Sequence, residues 1–226
     1  MGVAQRILAI PQKKSPKRVL GFMTREEVDA VLAAIDSTTH SGRRDRLLFI
    51  LLYNTGARIS EALQLRPQDL IGRVVHLRGK GRKERRVPIW PMTEQLLRKW
   101  CKANDINPEQ LIFTNRNGGP LSRDGVAFRL ALAVRNAEKR CPSLKHRRIT
   151  CHTFRHSCAM ALLQAGVALE IIALWLGHEK PLTTHGYIEA DLRMKAECLK
   201  RLNEPKAPRS SQARNTSRLL AFLEAL

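Results

Sequence analysis

Apolar residues recur at helical spacing along most of the chain and alternate with polar residues in only one segment. Amphipathic helices are predicted for VDAVLAAI (28–35), TEQLLRKWCKA (93–103) and RDGVAFRLALAVRNAEK (123–139). The segment RDRLLFILLYNTG (44–56) is apolar on nearly every side, which predicts the central buried helix. By contrast, GRVVHLRGKGRKERRVPI (72–89) predicts a β-hairpin with a glycine-rich turn. The expected fold class is therefore mainly α with a small antiparallel β-sheet (α+β).

Capping residues predict where several elements begin and end. Thr24 is followed three residues later by Glu27, the pattern of a capping box. Gly56 is suited to the left-handed backbone that ends many helices. Ser60, Thr93 and Ser122 are predicted to cap later helices. LIFT (111–114) is predicted to be a short buried strand.

The segment 151–187 places four chemically distinctive side chains in order. His152 and Arg155 are three residues apart, so they lie on one face of a helix that ends near Gly166. A second apolar helix, VALEIIALWLG (167–177), is followed at once by His178. Tyr187 then lies in a polar segment that gives little reason for burial.

The charge balance predicts a polyanionic partner. The chain has 40 Lys and Arg residues against 20 Asp and Glu residues, a net charge of +20. Such an excess favours binding to the phosphates of nucleic acid, with counterion release, and non-specific binding to ribosomes, membranes or RNA is the alternative. RNA binding is the weaker alternative, and preference for RNA over duplex DNA in competition would support it.

The cysteines and the hydropathy pattern predict a soluble cytoplasmic protein without a membrane segment. The five cysteines have no metal-ligand spacing and are odd in number, which indicates free thiols in a reducing compartment. No apolar run approaches the ~20 residues of a membrane span.

Tyr187 is a candidate nucleophile for a phosphodiester. A phenol has a pKa of about 10 and attacks only when its proton is removed and cations favour the anion. Arg58 and Arg155 could clamp the non-bridging oxygens from two sides. Lys80, between two glycines at the hairpin tip, could protonate the departing 5′-oxygen. This chemistry requires no cofactor and no metal.

Four motifs resemble the signature boxes of the tyrosine recombinase (phage integrase) catalytic domain. They are TGARISEAL, GKGRKERRVP, HTFRHSCAMALLQAG and LGHEKPLTTHGY, in the family's order, and the resemblance covers roughly residues 21–200. By position it implies six catalytic residues and one supporting acid: Arg58, Lys80, His152, Arg155, His178 and Tyr187, with Glu61. It also implies the tyrosine recombinase fold, a 3′-phosphotyrosine intermediate and rejoining by another strand's 5′-hydroxyl. The roles of the two histidines, in orienting the phosphate or handling the tyrosine proton, stay open.

Two basic runs are predicted to contact DNA phosphates. They comprise Arg82, Lys83, Arg85 and Arg86 on the hairpin, and Lys145, Arg147 and Arg148 before the helix that carries His152. The expected organisation is a basic flexible arm (1–20), a catalytic domain (21–202), and a linker with a C-terminal helix (203–226). That helix packs either on its own domain or on a neighbouring subunit. The resemblance implies self-association on DNA, from dimer to tetramer, and an accessory DNA-bending protein is a further candidate partner.

Other interpretations remain. His152 and His156 have the spacing of a zinc-binding pair, but Arg155 between them would repel a cation. The chain could be a naturally short recombinase or a piece of a longer integrase. A truncated, non-catalytic DNA-binding copy and a type IB topoisomerase-like enzyme are the alternative functions.

Overall fold

A computed structural model of the protein describes residues 21–79, 84–177 and 199–200. Among them it is mainly helical with one three-stranded antiparallel sheet, so the predicted fold class is confirmed. The α-helices are α1 (Arg25–Ala33), α2 (His40–Thr55), α3 (Ile59–Ala62), α4 (Pro91–Ala103), α5 (Arg123–Ala137), α6 (Cys151–Gln164) and α7 (Leu169–Leu176). The strands are β1 (Leu70–Ile71), β2 (Val74–Arg78) and β3 (Glu84–Pro88), and Pro67–Asp69 and Pro142–Leu144 form 3₁₀ turns. None of the helices described is long and apolar enough to cross a membrane.

The helix α2 is the centre of the fold, as its sequence predicts. Thirteen of its 16 residues are buried. It begins at His40, earlier than the apolar pattern indicates, because the Thr39 hydroxyl accepts a hydrogen bond from the Gly42 amide at 3.0 Å. It packs against α6, where the rings of Phe49 and Phe154 stack at 5.5 Å. It ends at Gly56 with φ of 62°, the left-handed cap expected from the sequence.

The predicted hairpin forms, and a short additional strand extends it. The sheet order is β1-β2-β3, with Val75 opposite Val87 and Leu77 opposite Arg85. Val75, Leu77 and Val87 are fully buried. Because side chains alternate between the two faces of a strand, one face of the hairpin lies on the core and the other faces outward. The hairpin tip, residues 80–83, lies outside the described residues.

Capping predictions are confirmed at two helices and wrong at two. The Thr24–Glu27 capping box and the Ser122 cap both form. Thr93 is not a cap: α4 begins at Pro91, whose ring fixes a helical φ, and Thr93 is buried inside the first turn. At α3 the preceding residue is Arg58, so Ser60 lies within the helix rather than capping it.

The predicted strand at 111–114 does not form. Ile112 and Phe113 are fully buried, as the apolar run indicates, but only Thr114 makes a bridge, to Pro120. Burial alone therefore explains the hydrophobicity of this segment.

Candidate active site

Arg155 ties together the ends of two helices. Its side chain projects from α6 and is almost completely buried, with 3% of the residue exposed. Nη1 donates to the carbonyl oxygen of Gly56, at the end of α2, and Nη2 donates to that of Leu176, the last residue of α7, both at 2.6 Å. Helix C-termini carry partial negative charge, so both acceptors favour a cation. Within the part of the chain that the structure describes, these bonds use two of the five N–H donors of the guanidinium.

Arg58 and Glu61 form the second part of the site, at the start of α3. Glu61 Oε2 accepts from the Arg58 amide at 2.8 Å, and Oε1 accepts from Arg58 Nη1 at 3.0 Å. The Glu61 side chain is 1% exposed, whereas that of Arg58 is 46% exposed. The arginine is therefore held at one edge by a buried carboxylate while its guanidinium faces solvent.

Arg85 belongs to the same cluster, a position that its sequence motif did not predict. It pairs bidentately with Glu61, Nη1 to Oε1 at 2.9 Å and Nη2 to Oε2 at 2.8 Å. Its Nε donates to the Trp175 carbonyl at 3.0 Å, and the side chain is only 9% exposed. The DNA contact predicted for Arg85 stays a prediction, and a phosphate at its guanidinium would have to displace Glu61 or Trp175. Strand alternation was the available signal: Arg85 lies two residues before Val87, on the core face.

The three arginines set the charge states of the cluster. Burial would raise the pKa of Glu61, but the hydrogen bonds and charge of Arg85, followed by those of Arg58, outweigh it and hold that pKa below its ordinary value. Burial, with the charges of Arg58 and Arg85, lowers the pKa of Arg155 to about 10. At neutral pH, Glu61 is therefore ionised and Arg155 still carries its charge.

His152 lies on the exposed side of the first turn of α6. Its ring centroid is 4.6 Å from that of His156, edge to face. Partial burial, followed by the charges of His156, Arg155 and Arg58, lowers the pKa of His152 from its ordinary value of 6.5. The imidazole is therefore neutral at pH 7 and has a free lone pair for accepting a proton.

A cleft of about 610 Å³ opens beside these residues. Its lining combines Arg58, Glu61 and Arg85 with the chain neighbours of two further predicted residues. Gly79, which precedes Lys80, forms one edge, and Gly177, which precedes His178, forms another. Arg123, the exposed first residue of α5, also lines it, and its position was not singled out from the sequence.

The second basic run, like the first, contains exposed residues and one arginine that is paired within the protein. Lys145 and Arg148 are exposed, as expected of residues that contact a phosphate, and so is Arg86 on β3. Arg147 instead donates from Nη1 to Glu27 and from Nη2 to the Phe22 carbonyl, both at 2.6 Å. Its guanidinium thus fastens residue 22 to the start of α1, and its predicted DNA contact stays a prediction.

Five of the residues predicted for the site lie outside the described residues: Lys80, Arg82, Lys83, His178 and Tyr187. The structure brings together Arg58, Glu61, Arg155 and His152, which come from two separate sequence motifs. It adds Arg85 to them as a structural partner.

Comparison with known proteins places this geometry in context. The model of the phage integrase family matches residues 21–193. The y4rC integrase/recombinase of Sinorhizobium fredii is 44% identical over 225 residues, covering 98% of this chain and 68% of that protein. Tyrosine recombinase XerC of Oceanobacillus iheyensis is 36% identical over 184 residues, covering 77% of this chain and 58% of that protein.

Among solved structures, one similar chain is the XerH site-specific recombinase bound to palindromic difH substrate in a post-cleavage complex. It matches with a TM-score of 0.61 at 25% identity, covering 84% of this chain and 53% of that chain. The chain thus spans about two thirds of the Sinorhizobium relative and little more than half of the other two proteins.

Proposed function

Because the chain belongs to the phage integrase family, we propose that it is a site-specific tyrosine recombinase that cleaves and rejoins strands of double-stranded DNA. The observation that supports this most is the cluster at the cleft. Arg58 and Arg155 come from motifs almost a hundred residues apart, yet Arg155 binds the carbonyl of Gly56, two residues before Arg58. Arg58 lines the cleft, and the buried Arg155 is close enough to interact with it electrostatically. Two cations placed in this way suit a phosphodiester in which charge develops.

The proposed reaction begins with attack by the Tyr187 oxygen on a backbone phosphorus. The new bond joins the phenolic oxygen to the 3′-phosphate, and the bond from phosphorus to the 5′-oxygen breaks. The phenolic proton passes to a base, for which the neutral His152 is a candidate, and Lys80 gives a proton to the 5′-oxygen. A 5′-hydroxyl from another strand then reverses these steps, so the bond energy is kept in the ester.

The arginines have different freedom in this scheme. Arg58 is half exposed and anchored at one edge, so its outer N–H groups can reach a non-bridging oxygen. Arg155 is held more tightly, and only the N–H groups not bound to Gly56 and Leu176 are available to phosphate. Removing one such pre-aimed donor typically slows a reaction by roughly 100- to 1000-fold.

The XerH structure was solved with its palindromic difH substrate bound. From that similarity and from the net charge of +20, we propose that this chain also binds DNA. Arg86, Lys145, Arg148 and the newly noted Arg123 are the described residues proposed to contact the backbone. Assembly from dimer to tetramer, an accessory DNA-bending protein and exchange of the C-terminal helix stay predictions.

The test is a covalent adduct on nicked duplexes drawn from the DNA that flanks the reading frame. Wild type should give a protein–DNA species that survives denaturation, and Tyr187→Phe should give none. Tyr53→Phe is the matched control, because Tyr53 is the only other tyrosine and is buried in α2. An adduct that persists in Tyr187→Phe contradicts the proposal. Binding without any adduct would favour the non-catalytic alternative, and relaxation of arbitrary supercoiled DNA would favour the topoisomerase-like one.

A further inference from the structure

Arg85 contacts two of the other elements that border the cleft. From β3 it pairs with Glu61 on α3 and donates to the Trp175 carbonyl near the end of α7. We propose that Arg85 is a positioning residue that fixes the hairpin, Arg58 and the end of α7 relative to one another. The inference rests on the proposed strand-cleavage function, since the three elements lead to Lys80, Arg58 and His178.

The first link runs through Glu61. Each oxygen of this carboxylate accepts one hydrogen bond from Arg58 and one from Arg85, at 2.8–3.0 Å. A buried carboxylate that loses one partner binds the remaining one more completely, because an unpaired buried charge is costly. Without Arg85, the Arg58 guanidinium would therefore be drawn toward Glu61 and away from the cleft.

The second link runs through the end of α7. Arg85 Nε binds the Trp175 carbonyl, and the Arg85 chain packs under Gly177, where an added Cβ would lie 3.0 Å from Arg85 Cδ. Gly177 has φ of 66°, so the backbone turns at this contact. Arg155 binds the next carbonyl, that of Leu176. Together the two arginines hold the last turn of α7 in place.

The third link is the hairpin itself. Arg85 is opposite Leu77 in the register of β2 and β3, close to the tip that carries Lys80. Because its guanidinium is held from α3 and α7, the hairpin cannot shift along the cleft without breaking three hydrogen bonds. A displacement of about 1 Å can lower a catalysed rate about 100-fold.

Lysine cannot reproduce these contacts. Arg85 uses a planar fork for the two carboxylate oxygens and its Nε for a third acceptor. A lysine places three donors on a single nitrogen and matches a carboxylate as a point charge. Arg85→Lys therefore keeps the charge while it removes the geometry, which separates positioning from simple electrostatics.

The experiment compares wild type, Arg85→Lys and Arg98→Lys in single-turnover cleavage of the nicked duplex at saturating protein. Arg98 is the matched control because it is an exposed arginine, also paired with a glutamate, on α4. We expect Arg85→Lys to lower the cleavage rate roughly 10- to 100-fold, with DNA affinity and its salt dependence within about twofold of wild type. Arg98→Lys should match wild type in both. Adding Glu61→Gln to Arg85→Met should lower the cleavage rate little further, because both substitutions break the same hydrogen-bond network.

Two outcomes would overturn the inference. Weaker DNA binding with a salt slope reduced by about one, and normal cleavage at saturation, would make Arg85 a phosphate contact after all. Normal cleavage with only a lower melting temperature would make it merely structural. If wild type itself forms no adduct, the proposed function fails, and hydrogen exchange at residues 173–177 still decides the anchoring. Hydrogen exchange at these residues should be faster in Arg85→Lys than in Arg98→Lys. Equal exchange rates would refute the proposal that Arg85 anchors the end of α7.

Discussion

The turn at Gly56 packs closely against α6 and α7, and Gly56→Ala tests this packing. Gly56 has φ of 62°, and a Cβ there would lie 2.4 Å from Leu176 Cδ2 and 3.3 Å from Cys158 Sγ. Carbon atoms in contact are normally about 3.5–4.0 Å apart, so the buried Leu176 side chain, or the end of α7 that carries it, would have to move. That movement would also disturb Arg155, which binds the carbonyls of both Gly56 and Leu176.

The magnitude follows from two separate costs. A left-handed backbone costs an L-residue roughly 1–2 kcal/mol, and forcing extra atoms into a packed core costs typically about 1–3 kcal/mol. The sum is about 2–5 kcal/mol, a large part of the roughly 5–15 kcal/mol that stabilises a typical domain. At about 2–4 °C per kcal/mol, the melting temperature should fall by about 4–20 °C.

Gly72→Ala is the matched control, because it isolates the backbone cost. Gly72 has φ of 55°, and an added Cβ would meet nothing within 4 Å. Urea denaturation followed by circular dichroism should show Gly56→Ala to be about 1–3 kcal/mol worse than Gly72→Ala. Cleavage of the nicked duplex, measured well below both melting temperatures, should fall only in Gly56→Ala. Equal losses of stability in the two variants, with cleavage intact, would refute the packing argument.

Two further predictions concern pH. The pKa of Glu61 is held below its ordinary 4.5, so its ion pairs stabilise the fold fully above pH 4.5 and are lost as pH falls through the lower folded value. Glu61→Gln should therefore cost about 3 kcal/mol or more at pH 7, and distinctly less at pH 3. Urea titrations at the two pH values check this, and a cost independent of pH contradicts it. The pKa of His152 is lowered from 6.5, so the unfolded chain binds its proton more readily, and wild type gains stability as pH rises toward 6.5. His152→Gln has no such titrating group, so its stability relative to wild type should increase as pH falls below 6.5. Parallel pH–stability curves for the two proteins would show that the shift is absent.

Local sequence patterns predicted the structure correctly where it depends on residues within one helix, turn or hairpin. The Thr24–Glu27 box, the left-handed Gly56 and the alternation in β2 and β3 depend on residues a few positions apart, and each forms as predicted. The position of Arg58 beside a supporting Glu61 is equally local. The cap at Thr93 failed because Pro91 competes for the same helix start.

Local patterns could not predict which arginines are paired within the protein and which face outward. Arg85 and Arg86 are adjacent in one basic run, and so are Arg147 and Arg148, yet in each pair the first binds a buried glutamate and the second faces outward. Strand alternation gives a hint for Arg85, but no spacing rule identifies Glu61 or Glu27 as the partner.

The sequence by itself therefore determined the helices, the hairpin, the excess of positive charge and the residue types that the site contains. Only the tertiary structure decided which cations hold the fold and which face the cleft. The reason is separation along the chain: Arg85 is 24 residues from Glu61, Arg155 is 99 from Gly56 and Arg147 is 120 from Glu27. Whether an arginine is buried and paired depends on such distant contacts, and these exist only once the helices have packed around α2.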